Sequence, residues 1–314
     1  MKLLDPFVRL PMQFDAERLA DEIAVFEEDA WKQEALRAPG ECELSLIAVH
    51  GDPGSEATSG PMRPTAHLAR CPYLMQVLAS MDAVWGRACL VKSKDRHGIE
   101  RRTDTSYYSV THASMHVPIA THSGVRFLCD GAEIHMGAGE CWVVDTWREQ
   151  RIVVDQSGER IHLVADTVGS DTFRTLLNKG CSPHRRPPDW APEIVSPSPQ
   201  PAHLRFESVN VPVVMTPWEL REHIGLLLAE TRPHPEFVLA RDALNQFLAS
   251  WHVLWTHYGP DMRGRGVYRN ALENLEVFME REAAELRLGN RAAFLPALRS
   301  LVLEKALSGD GRAQ

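Results

Sequence analysis

Nowhere in the 314-residue chain do eighteen apolar residues run uninterrupted, so nothing in it reads as a transmembrane helix. The opening stretch, "MKLLDPFVRLPMQFDAERL", has too short an apolar run and too many acids for a secretory leader, and a cytoplasmic protein is expected. Basic runs are missing too. With a formal charge of −8 and no cluster of lysine or arginine, the chain offers no general attraction to phosphate backbones or anionic lipid, so neither nucleic acid nor membrane is expected as a partner. The six cysteines, Cys42, Cys71, Cys89, Cys129, Cys141 and Cys181, form no CxxC pair. That spacing signals neither a zinc knuckle nor a disulfide frame, and small buried thiols in a reducing compartment are expected.

What is present is the composition of a soluble globular protein, 44% hydrophobic and 24% charged, enough for a sizeable core. "FDAERLADEIAVFEEDAW" places Leu19, Ile23 and Phe26 at helical spacing behind Asp15, a candidate N-cap. A strand-like run from Leu44 to Val49 follows, then a Gly/Pro/Ser-rich loop and a helical stretch at "CPYLMQVLASM". From Arg87 to Gly169 the texture changes to seven short β-type runs broken by Gly and Asp turns: "RACLVKS", "SMHVPIA", "VRFLC", "EIHM", "CWVVD", "RIVVD" and "RIHLVAD". This spacing predicts a mostly β core, an antiparallel barrel or double-sheet jelly roll, with the earlier helices covering one face. The domain expected is residues 1–178. Residues 179–215 are rich in Pro and Ser and read as a linker and return segment, and residues 216–314 read as a C-terminal helical bundle with Pro217 and Pro235 at helix starts.

On strands, residues two apart share a face. Arg102 and Asp104 therefore lie on one side of their strand, Arg160 and His162 on one side of theirs, and His116 on a strand between them in sequence. If these sides point inward, the interior gathers guanidinium groups, a carboxylate and imidazoles. Such a set suits a small anion, because arginine presents a rigid fork of donors that matches a carboxylate.

These residues sit in a series of longer motifs. In order, "LIAVHGDP", "GPMRPT", "MHVPIATHSGVRFLCDGAEIHMGAGECWVVDTW" and "ERIHLVADTVGS" resemble the aspartyl/asparaginyl β-hydroxylase family from about Phe7 to Phe173. That family comprises Fe(II)- and 2-oxoglutarate-dependent oxygenases built on a double-stranded β-helix, a cupin-like jelly roll. The resemblance implies that the strand matching "IERRTD" carries His-x-Asp in iron-binding members, and that the strand after "GECWVVDTW" carries a second histidine. Here the first histidine position is Arg102, the acidic position Asp104 and the second histidine position Gln150. The family's basic anchor for the 2-oxoglutarate carboxylate, ten positions after the second histidine, is matched by Arg160. His116 matches a histidine that contacts the co-substrate, whereas the usual arginine two residues earlier is Ser114 and the usual asparagine four after the second histidine is Val154.

The donor changes point away from iron. Non-haem Fe(II) is held by imidazole and carboxylate, a guanidinium stays protonated and cannot ligate, and Gln150 offers one neutral amide oxygen. No metal and no cofactor are therefore expected. The implied function is a hydroxylase-fold protein that acts without iron on a small carboxylate-bearing, amino-acid-like ligand, free or carrier-tethered, as an acid/base enzyme or as a binding pseudoenzyme. Asp104 and Arg102 are the candidates for acid/base chemistry, with Asp104 alternatively Arg102's counter-ion. Arg160, His116, Arg102, Ser114 and Gln150 are the candidates for holding the carboxylate. The alternative is an active Fe(II)/2-oxoglutarate β-hydroxylase with a non-standard metal site on Asp104 and Gln150, or one rebuilt with His97, His112 or His122. Those three otherwise read as surface or loop histidines, and His135 and His162 as satisfied core or pocket histidines. Tyr107, Tyr108, Trp142 and Trp147 are pocket or core aromatics. Trp251, His252 and Trp255 read as helix packing, and the helical tail is a candidate interface for a second copy or a protein partner.

Overall fold

The alternation of apolar and polar residues through the β block resolves into two sheets in the computed structural model, which describes residues 2–33, 40–93, 99–155 and 158–308. The chain opens with β1 (Phe7–Phe14) and α1 (Ala16–Ile23), followed by β2 (Glu41–Val49), β3 (Met62–Pro64), α2 (Pro72–Ala79), β4 (Val84–Ser93) and β5 (Ile99–Arg102). A short helix, α3 (Tyr107–Thr111), precedes β6 (Ala113–Ala120), β7 (Val125–Cys129), β8 (Ala132–Ile134), β9 (Glu140–Val144), β10 (Gln150–Val154) and β11 (Arg160–Gly169). Next come α4 (Asp171–Lys179), β12 (Glu193–Val195) and β13 (Arg205–Phe206), and then the helices α5 (Pro217–Glu230), α6 (Phe237–Tyr258), α7 (Arg265–Glu282) and α8 (Phe294–Leu298).

The larger sheet has nine strands in the order β12-β1-β9-β6-β11-β4-β2-β3, with β13 paired to β4; the smaller has the order β5-β10-β7-β8. Their inner faces meet. Phe7, Trp142 and Val144 of the large sheet form one apolar cluster with Val125, Phe127, Ile152 and Val154 of the small sheet. The alternate register of the large sheet is apolar as well, since Leu44, Leu90, Leu163 and Val117 stand in one cross-strand row and are fully buried. A sheet buried on both faces loses the simple period of two, which is why "LSLIAV" reads as a continuous apolar run. The result is the expected jelly-roll core with flanking helices.

Local signals set the helix ends. Asp15 accepts a hydrogen bond from the Arg18 N–H and starts α1, which ends at Ile23, so Phe26 lies beyond the stripe it was expected to extend. Pro72 opens α2 and Pro217 opens α5, where a missing N–H costs nothing. The Pro/Ser-rich segment contributes two short strands, β12 pairing in parallel with β1 and β13 with β4.

The chain forms two units, and they do not divide at one point. The first comprises residues 1–104 and 111–210; the second comprises residues 105–110 and 211–314. Within the second unit, the Trp251 indole donates to the Met215 carbonyl at 2.9 Å and its ring lies 4.6 Å from Tyr268. The Tyr107 hydroxyl donates to Glu219 at 2.6 Å, and Ser300 donates to the Thr105 carbonyl at 3.1 Å. No helix among the described residues is long and apolar enough to cross a membrane.

Candidate functional site

The three positions singled out by motif converge at one end of the small sheet. In the β5–β10 ladder Arg102 stands directly opposite Gln150, and in the β10–β7 ladder Gln150 stands opposite Cys129. The row shares its face with Ile152 and Val154, two and four residues beyond Gln150, both in the interior cluster. Along it exposure falls steadily: Arg102 is exposed, Gln150 half-buried and Cys129 buried. Arg102 therefore belongs to the solvent-facing end of the inward row. Its neighbour Arg101 takes the other face and pairs with Glu149 at 3.2 Å. Asp104 is exposed, and its backbone N–H donates to the Thr146 carbonyl at 3.1 Å.

The inner face of the large sheet carries the second set. Arg160, Ser93 and Glu41 form one cross-strand row, and His162, Val91 and Glu43 form the next. His116 stands opposite Trp142 on one side and Val164 on the other, with Ser114 two residues before it on the same face. Trp142 lies in the apolar cluster, so this is the face turned toward the small sheet. Across β4 the Arg160 guanidinium donates to the Glu41 carboxylate, with both side chains about 95% buried. Arg87, on β4 itself, pairs with Glu43 of the adjacent β2 at 3.3 Å. Sequence reasoning missed both acids, because "ECEL" reads as the polar start of a strand and its partner lies 119 residues away.

His162 is 1% exposed, with its ring 5.4 Å from Phe127 of the opposing sheet and 6.5 Å from His116. Neither ring nitrogen has a hydrogen-bond partner. It is the core or pocket histidine expected, but not a satisfied one. Burial above all, then the Arg160 guanidinium and the neighbouring His116 and His135, holds its pKa well below the usual imidazole range, so the ring is neutral at physiological pH.

The remaining histidines do not join it. His112, expected on the surface or in a loop, is buried and holds Glu207 at 2.8 Å through Nε2. His122 lies against Gly158, whose added Cβ would meet the imidazole at 2.8 Å. His135 is exposed and turns Nδ1 to the Val125 carbonyl at 2.9 Å. His97 lies outside the described residues. Among those described, no group of three His, Cys, Asp or Glu side chains could hold a metal ion. Of the aromatics, Trp142 lines the interior and donates to Glu140 at 2.9 Å, whereas Tyr107 packs on His223 in the helical unit.

Residues 10–169, just over half of the chain, match the model of a family described as aspartyl/asparaginyl beta-hydroxylase. No curated protein matches. Similar solved structures include an oxidoreductase of the 2OG-Fe(II) oxygenase family from Burkholderia pseudomallei, 12% identical over 50% of this chain and 81% of that one, with a TM-score of 0.38. A prolyl-4-hydroxylase from Pseudomonas putida is 14% identical over 52% of this chain and 92% of that one, with a TM-score of 0.35. The non-heme alpha-ketoglutarate-dependent epimerase SnoN from nogalamycin biosynthesis is 11% identical over 60% and 91%, with a TM-score of 0.37.

Proposed function

The chain belongs to the aspartyl/asparaginyl β-hydroxylase family, and from that premise we propose that it keeps the family's jelly roll as a binding site for a small carboxylate-bearing, amino-acid-like molecule and works without iron. The observation that carries this reading is the direct pairing of Arg102 with Gln150. These are the two positions where the resemblance expects imidazole ligands, and neither side chain suits the task. A permanently protonated guanidinium has no lone pair to give and repels a dication, and one amide oxygen does not replace an imidazole. The residues present do not fit Fe(II).

The same set fits an anion. Arg102 lies at the open end of the row, where a ligand's carboxylate can reach it, with Gln150 as a neutral donor beside it. Arg160, the anchor implied by the resemblance, is already engaged by Glu41, so a ligand carboxylate would have to compete with a buried internal one. His116 and Ser114 lie on the inner face of the large sheet, on the strand next to the one that bears Arg160. Asp104, two residues beyond Arg102, is the acid/base candidate if a reaction accompanies binding.

Family membership alone would predict the other reading, an Fe(II)/2-oxoglutarate β-hydroxylase using Asp104 and Gln150 as metal ligands. Calorimetric titration of metal-stripped protein with Mn(II), with and without 2-oxoglutarate, separates the two. The natural protein is expected to stay silent, while an Arg102→His/Gln150→His double variant binds. Tight Mn(II) binding by the natural protein, followed by 2-oxoglutarate turnover with Fe(II), would sink the iron-free reading.

A further inference from the structure

Deep in the interior, the row ending on His162 plays no part in holding a carboxylate at Arg102. The imidazole is buried against Phe127 with the two rings inclined by 33°, so it reaches across from one sheet toward the other. A neutral imidazole carries one N–H donor and one lone pair, and both are unmet here. Buried polar groups of this kind nearly always have a partner, and the protein supplies none. Two carboxylates of the same rows are already paired, Glu41 with Arg160 and Glu43 with Arg87. A second ligand carboxylate brought to this end would have to break the Glu41–Arg160 pair and lie buried beside two acids, a costly arrangement.

We infer that this inner end takes an uncharged hydrogen-bonding group, an amide or hydroxyl, of a small molecule whose carboxylate stays at the open end, and that His162 contacts that group. The inference rests on the carboxylate-binding reading above and adds a substrate class: amide- or hydroxyl-bearing monocarboxylates, with dicarboxylates such as 2-oxoglutarate disfavoured. Burial keeps His162 neutral, as a partner for an uncharged group should be.

The test is a titration of the full-length protein, labelled with ¹⁵N-histidine, against matched pairs: L-glutamine with L-glutamate, L-asparagine with L-aspartate, and succinamate with succinate, with 2-oxoglutarate alongside. The amide-bearing acid of at least one pair is expected to bind about tenfold or more tighter than its dicarboxylate. It should also move a ring-nitrogen resonance of His162, assigned by its loss in His162→Phe. His162→Phe should level the preference, and Glu41→Gln, which releases Arg160, should shift it toward the dicarboxylate. A dicarboxylate that binds as tightly as its amide, or a His162 resonance that no bound probe moves because ordered water alone satisfies the ring, overturns the inference and leaves the carboxylate reading standing. Mn(II) binding with no response to any carboxylate overturns the reading beneath it, and silence from every probe overturns both.

Discussion

A buried imidazole that stays neutral makes the fold sensitive to acid. The folded chain leaves His162 unprotonated where the unfolded chain, with its ordinary pKa of 6.5, takes up a proton. The unfolded state therefore binds more protons below that pH, and stability present above it is lost as the pH falls toward the depressed folded value. The loss reaches at most about 1.4 kcal/mol per pH unit for this one group. Urea midpoints measured from about pH 7 to about pH 5 should fall in the natural protein and fall less steeply in His162→Phe. Parallel slopes would acquit His162. Thiols give a second residue-scale prediction. Burial pushes Cys71 and Cys129 up to about 12 and Cys141 higher, and Cys89 and Cys181 are also buried. Because the thiolate is the reactive form, a maleimide at neutral pH should label half-buried Cys42 first and the other five only on denaturation. Arg102 and Gln150 were legible as candidate positions because the resemblance to the family marks them. Glu41 and the missing partners of His162 were not, since both depend on what stands across a strand ladder.

At the scale of elements, the sequence announced the strands that follow one another in hairpins. Seven runs between Arg87 and Asp166 became β4, β6, β7, β8, β9, β10 and β11, each bounded by the turn residues that flagged it. β1 went unread because Pro6 precedes and Pro11 interrupts "FVRLPMQF" and its partners, β9 and β12, lie far along the chain. β12 and β13 were hidden by the prolines around them and by parallel pairing, which leaves no turn signature. The first two helices and the C-terminal ones were read from apolar spacing and first-turn signals, whereas α3 and α4 went unread. Thr216 accepts from the Glu219 N–H at 3.2 Å ahead of Pro217. Thr216→Ala should cost about 1 kcal/mol and Thr216→Ser much less, read from thermal or urea unfolding; equal losses would show that the hydroxyl is not the cap.

For the whole molecule, the route of the chain matters more than the count of domains. It leaves the β unit after Asp104, gives residues 105–110 to the helical unit, and returns at Thr111. Tyr107 ties that segment in through Glu219 and His223. Burial tends to raise the Glu219 pKa, but the neighbouring His223, 3.9 Å away, and the hydrogen bond from Tyr107 outweigh that and bring it below the usual carboxylate value. A chain ending at Asn210 would strand Tyr107 without these partners. Limited proteolysis should then cut within residues 105–110, where the full chain resists; equal resistance would mean the segment is held without its helical partners. No composition shift marks those residues, so the crossing is invisible in the sequence and only the contacts reveal it.

That crossing bears on descent as well as on folding. A helical unit joined at one point can be gained or shed by a single recombination at its border, and the sheet never notices. Here the same unit is encoded in two separated pieces, one lying between a strand that bears Arg102 and a strand that bears His116. A lineage that dropped the tail would leave an orphaned patch in the middle of its β unit. One that acquired the tail had to rewrite the middle to receive it, so the two parts are expected to be inherited together.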